Sequence, residues 1–182
     1  MRLYPKSSGM PHHKIALCGS KGSGKSTVFQ SVIEKMRDEG VPFSGFKTFF
    51  LETGRLWLEW IHMEYEKTPM GEKTGKQAMK PFLGNLDKIG DILLQQDMGT
   101  KIFVADEIGF LEQFSKPMQR GIIKAITDAP FSFFTMKNAD YPFIKGLKNL
   151  EGLQIFDLDR NDWQQKEDMC QTILDGVHEQ FV

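Results

Sequence analysis

Cysteine is scarce in this chain. Cys18 and Cys170 stand far apart in no metal or redox spacing, which argues against a disulfide scaffold and predicts a reducing, cytoplasmic setting. Four histidines, His12, His13, His62 and His178, share no ligand spacing with each other or with the cysteines, so no structural metal is expected. Net charge is −1, which gives no global electrostatic footprint for DNA, RNA or an anionic membrane. The longest apolar runs, such as "IFVA" and "FSFF", fall far short of the ~20 residues that span a bilayer. The opening "MRLYPKSSGMPHHK" has no apolar core, so no secretory signal is expected. Arginine is also sparse, with five in the chain.

What is present is ordinary for a soluble globular protein: 40% hydrophobic and 26% charged residues. A chain of 182 residues is expected to form one domain, with residues 1–12 as a loosely ordered lead-in. Short apolar runs at 14–18, 101–107, 131–136 and 153–158 read as strands. Apolar residues at helical spacing predict helices over 26–39, 81–97, 115–127 and from 162 onward. Ser115 and Pro117 fit a cap and an early proline for the third of these. Two extended segments around Thr53-Gly54 predict a β-hairpin near 46–63. The polar, lysine-rich stretch 66–77 reads as a flexible loop, and "NADYPF" as another. Strands alternating with helices predict an α/β three-layer sandwich, its sheet mainly parallel with helices on both faces.

The densest signal is "GSKGSGKST" between the first strand and the first helix. Gly19, Gly24, Lys25 and Ser26 satisfy G-x-x-x-x-G-K-[ST], the phosphate-binding P-loop. Backbone N–H groups from Gly19, Ser20, Lys21, Gly22, Ser23 and Gly24 can converge on an anion only if the glycines permit the turn. The helix starting near Lys25 aims its unpaired N–H groups at the same place. Lys25 is expected on the β- and γ-phosphates, Ser26 on Mg²⁺, and Thr27 near the α-phosphate. The other reading is a glycine-rich turn that matches by accident.

A P-loop needs a second acidic element. "KIFVADEIGFLE" ends a strand in Asp106, placed to hold Mg²⁺, and Glu107, placed to activate water for attack on a γ-phosphate. The bland alternative leaves Glu107 capping a turn.

With these motifs in hand, the chain resembles the thermophile-type nucleoside-triphosphatases, relatives of the vertebrate cancer-related nucleoside triphosphatase. The resemblance rests on the P-loop and on D-E-I-G-x-x-E, here Asp106, Glu107, Ile108, Gly109 and Glu112. It extends to a hairpin with Glu52 and Arg55 after Gly45-Phe46, over roughly residues 14 to 175. A late N-R-D motif is matched only in permuted order by Arg160, Asn161 and Asp162, and Lys21 replaces a frequent proline. The resemblance implies a P-loop fold and hydrolysis of nucleoside triphosphates with broad base tolerance.

Weaker signals keep two readings each. Arg55 is a candidate for stabilising charge on the γ-phosphate, or a surface arginine that pairs. Lys67, Lys73, Lys76 and Lys80 form either a lid over the phosphates or a solvated loop. Glu112 braces the metal site or sits at a helix entry. Asn161 and Asp162 read the base or cap the last helix. Phe46, Phe49, Phe50, Trp57 and Trp60 pack within the hairpin, or present a protein-partner or base-stacking surface.

The reading is a cytoplasmic, Mg²⁺-dependent enzyme hydrolysing ATP, GTP and related triphosphates to the diphosphate and phosphate. Two rivals stand beside it. A nucleotide or small-molecule kinase would use several arginines in a lid, and none of the five lies in the lysine-rich stretch. A nucleotide-dependent switch would order a loop to recruit a partner.

Overall fold

The computed structural model describes residues 13–61, 66–76, 78–160 and 163–181. The lead-in expected over 1–12, and Asn161 and Asp162, lie outside the described residues. The elements in chain order are β1 (His13–Gly19), α1 (Lys25–Asp38), β2 (Phe43–Phe50), β3 (Arg55–Trp60), β4 (Lys67–Lys73) and β5 (Met79–Pro81). After these come α2 (Leu83–Gln95), β6 (Ile102–Ile108), α3 (Lys116–Asp128), β7 (Phe131–Lys137), α4 (Pro142–Lys148), β8 (Leu153–Asp157) and α5 (Trp163–Phe181).

All eight strands join one sheet in the order β5-β4-β3-β2-β6-β7-β1-β8. The pairs β2·β6, β6·β7, β7·β1 and β1·β8 are parallel, whereas β2·β3, β3·β4 and β4·β5 are antiparallel. β1, β6 and β7 lie in the interior of the sheet, which is why their sequences run apolar on both faces instead of alternating. On one face Ile15, Leu17, Val104 and Phe133 meet Val28, Val32 and Met36 of α1 and Ile173 and Val177 of α5. On the other, Ala16, Phe46, Phe103 and Phe134 meet residues of α2, α3 and α4. Each fully buried Leu, Val or Phe contributes about 1.5–3 kcal/mol, so the two apolar layers hold the sheet between helices. The expected three-layer α/β sandwich is what the chain adopts.

α2 and α3 pack backbone to backbone. A Cβ on Gly90 would lie 2.2 Å from the Met118 nitrogen, and one on Gly121 2.6 Å from the Gly90 oxygen. Ser115 caps α3 as expected, its Oγ accepting from the Met118 N–H at 3.1 Å and donating to Asp87 of α2 at 2.6 Å.

Two expectations are corrected. The polar stretch 66–77 is not a loop for most of its length: residues 67–73 form β4, paired with β3 and β5. Lys67 and Lys73 at its ends are exposed while Met70 is fully buried, the pattern of a strand near a sheet edge rather than of a solvated turn. Pro69 stands next to a register irregularity, where a missing N–H costs least. The predicted hairpin is therefore the first half of a four-strand antiparallel extension. The second correction concerns "NADYPF", whose Pro142 opens α4 at the position where proline is best tolerated, with Phe143, Ile144 and Leu147 buried beneath. Among the described residues no helix is long and apolar enough to cross a membrane.

Candidate active site

The carboxyl ends of the parallel strands converge on one cleft of about 860 Å³. β1 delivers Gly19 to its mouth, and α1 begins at Lys25 after a loop in which Gly22 and Gly24 hold φ of 84° and 96°. Those left-handed values are what the glycines are needed for. Gly19, Ser20, Lys21, Gly22, Gly24, Lys25, Ser26 and Thr27 all line the cleft. Ser23 is the exception, and its buried Oγ has no hydrogen-bond partner.

Lys25 is 7% exposed, and its ammonium is fully engaged. It donates to the Gly19 and Ser20 carbonyls, each at 2.9 Å, and lies 3.1 Å from Glu107 Oε2. Ser26 Oγ donates to Asp106 Oδ1 at 3.4 Å, and Thr135 of β7 donates to the same oxygen. Asp106 and Glu107 are thus turned toward opposite ends of the P-loop's cation-and-hydroxyl pair. Thr48 at the end of β2 accepts the Glu107 N–H at 3.2 Å, which fixes that residue where β6 and β7 change register.

Glu112 sits in a short 3-10 turn (Leu111–Phe114), 2% exposed, its Oε2 accepting the Gly109 N–H at 3.0 Å. Burial pushes its carboxyl from 4.5 up to about 7, against the pull of that N–H and of Lys137. The folded chain therefore keeps a proton that the unfolded chain releases. Stability from this proton is full below about pH 4.5 and is lost as pH rises through about 7. In Glu112→Gln, the fall in urea-unfolding midpoint between those values should shrink relative to wild type. Identical slopes in the two proteins would remove Glu112 as its source.

The C-terminal segment braces the P-loop from outside. Asp159, in the 3-10 turn Leu158–Arg160 after β8, accepts Ser20 N–H at 2.8 and 2.9 Å and the Ser20 hydroxyl at 2.7 Å. Those bonds hold its carboxyl below the usual range. Lys166 of α5 donates to the Ser23 carbonyl at 2.8 Å.

Nearly every residue expected at the site from sequence is brought together here, with Arg55 standing apart. Arg55 opens β3, is half exposed and faces Glu72 at 3.7 Å, outside the residues lining the cleft. Of the four lysines, Lys73 and Lys76 line the cleft; Lys67 pairs with Glu59 on β3. Phe46 and Trp60 are core residues, while Phe50 remains 47% exposed. Thr48, Thr135, Lys137, Asp159 and Lys166 were not legible in advance. The usable signal for the first four was position alone, at or just past the carboxyl end of a strand in the sheet.

A phosphate-shaped loop at a helix N-terminus, with an acidic pair on a nearby strand, defines a P-loop nucleotide-binding protein. The family model described as NTPase matches residues 14–174. The chain belongs to that family, and it is an enzyme of the nucleoside-triphosphate-hydrolysing class. It is 25% identical over 159 residues to "Nucleoside-triphosphatase THEP1" of Thermotoga maritima, covering 82% of this chain and 88% of the relative. It is 27% identical over 126 residues to "Cancer-related nucleoside-triphosphatase homolog" of Mus musculus, covering 59% of this chain and 66% of the relative. Its fold matches the crystal structure of THEP1 from Aquifex aeolicus with a TM-score of 0.70 at 20% identity, over 90% of this chain and 98% of that one. The solution structure of a human cancer-related nucleoside triphosphatase matches at 0.69 and 18%, over 91% and 97%.

Proposed function

We propose that this protein hydrolyses ATP, GTP and other nucleoside triphosphates to the diphosphate and phosphate in a Mg²⁺-dependent reaction. The observation that carries the reading is Glu107 Oε2 at 3.1 Å from the P-loop lysine, next to an Asp106 that Ser26 reaches. The backbone N–H groups of the P-loop and Lys25 address phosphate oxygens rather than a base. That is why broad base tolerance is the natural consequence. Free thiols at Cys18 and Cys170 fit a reducing, cytoplasmic setting.

The donors suit a hard cation. Ser26 and Asp106 offer two oxygens, and among the described residues no cluster of three or more His, Cys, Asp or Glu competes with them. Mg²⁺ takes few protein ligands and completes its shell with phosphate and water. When bound it neutralises charge on the phosphate oxygens. Lys25 changes partners as the nucleotide arrives: its ammonium leaves Glu107 for the phosphates, and the freed carboxylate takes the proton of the attacking water. The γ-phosphate must then lie on the Glu107 side and the nucleoside on the Thr27 side.

Phosphate release from ATP, GTP, CTP and UTP, with Mg²⁺ and with excess chelator, tests this directly. Turnover on several bases that disappears on chelation is expected. Turnover on a single base would sink the tolerance claim, and release indifferent to chelator would sink the metal.

A further inference from the structure

The cleft is larger than hydrolysis requires, and the excess lies on one side. Along the strand order the P-loop stands at β1 and Glu107 at β6, yet the cleft continues over the ends of β2, β3, β4 and β5. Neighbouring strands lie ~4.8 Å apart, so the β4 end is about 14 Å beyond Glu107 and about 24 Å from β1. The proposed reaction needs only one water past the γ-phosphate. The nucleoside cannot fill this space either, because a γ-phosphate facing Glu107 sends the nucleoside the other way. On that other side a separate hollow of about 170 Å³ opens between Thr27, Ser31 and α5.

The lining of the extra space has a definite chemistry. Phe49 and Phe50 close β2 in this half, while Phe110 after β6 and Tyr141 after β7 stand at the wall of the same cleft nearer its middle. Phe110 and Tyr141 pack edge to face at 5.1 Å. Lys73 holds its ammonium 4.7 Å from the Phe50 ring centroid, and Lys76 lines the same rim. Phe50 is nearly half exposed although its neighbour Phe46 is fully buried, so its ring is presented to whatever enters. Aromatic faces take a planar ring, and ammonium groups take an anion.

We propose that this far half of the cleft is a second substrate site for a small anionic molecule with a planar ring, of the nucleoside monophosphate class. An oxygen of that molecule replaces water as acceptor of the γ-phosphoryl group. The step balances without any other reactant. The acceptor oxygen forms a bond to the γ-phosphorus as the bond from that phosphorus to the β-bridging oxygen breaks. The diphosphate leaves, and any acceptor proton passes to Glu107. This rests on the hydrolase orientation proposed above, in which water attacks when the site is empty.

The test runs γ-labelled ATP with the full chain and Mg²⁺ against a panel of nucleoside monophosphates, reading labelled transfer product and free phosphate in the same tube. Labelled product from at least one of them is expected. Its ratio to free phosphate should fall about tenfold in Phe50→Ala and in Lys76→Ala, the factor one lost stacking or charge contact is worth. A ratio is insensitive to partial misfolding, which lowers both products together. Calorimetric titration of a monophosphate into the chain loaded with a non-hydrolysable ATP analogue gives a second reading, with saturable binding expected. No labelled product and no such binding would overturn the site. Binding that simply displaces the analogue would also overturn it, since the ligand would then occupy the P-loop. Free phosphate released without any acceptor reports on the hydrolase reading separately.

Discussion

Glu107→Gln is expected to release phosphate at least about 10²-fold more slowly than wild type while holding nucleotide as well or better. The two halves of that result come from one contact. Glutamine keeps the shape of glutamate and removes its charge, so Lys25, now 3.1 Å from the carboxylate, loses its ion-pair partner. An incoming triphosphate then no longer competes with a carboxylate for the ammonium, and affinity is retained or rises. The proton acceptor for water is gone, so the chemical step slows by the range general-base catalysis supplies. Binding by fluorescent-analogue titration and single-turnover release on the same samples separate the two. A variant that releases phosphate at the wild-type rate would leave Glu107 as a capping residue and no more.

Lys25→Met should behave in the opposite way in binding. Here the cation itself disappears, and with it charge-assisted bonds to phosphate oxygens worth about 1.5–3 kcal/mol each. Two such bonds at the low end are a factor of about 10² in affinity. Stabilisation of the developing charge is lost as well, so turnover falls by about 10²–10³ at saturating nucleotide. Methionine is chosen because Lys25 is nearly buried and its stem fills space. Its methyl cannot satisfy the Gly19 and Ser20 carbonyls, so thermal unfolding is measured alongside. Weak binding in a variant that melts near the wild-type temperature isolates the charge. Tight binding in the same variant would contradict the phosphate role of Lys25. Together the pair of substitutions predicts a clean division, with Glu107 acting on rate and Lys25 on both binding and rate.

Much of the candidate site is legible in the sequence, and for a local reason. Gly19 to Thr27 are contiguous, and the spacing of glycines, lysine and hydroxyl is itself the geometry that a phosphate demands. Asp106 and Glu107 end an apolar run, so their exposure at a strand terminus could be read from neighbours alone. The cap at Ser115 was equally local. The failures were also physical in origin. β4 was misread because a strand with exposed lysines and a proline has the composition of a loop; its partner β3 and the burial of Met70 are what make it a strand. α4 is seven residues long, too short for periodicity to stand out from the turn before it. Arg55 kept two readings in the sequence, and only the strand pairing sets it across from Glu72, away from the cleft-lining residues.

The sequence by itself determined the phosphate loop, the acidic pair and the alternation of strands with helices, because each is written in residues that touch or repeat over a few positions. Only the tertiary structure decided which of these meet. Asp159 grips Ser20 from 139 residues away, and Lys25 meets Glu107 although β7 lies between β1 and β6 in the sheet. The width of the cleft was decided the same way, by β4 and β5, which extend the expected hairpin and whose polar sequence leaves no periodic mark in the chain. Strand order is set by which apolar faces bury best against one another, a property of the whole core that no short stretch carries alone.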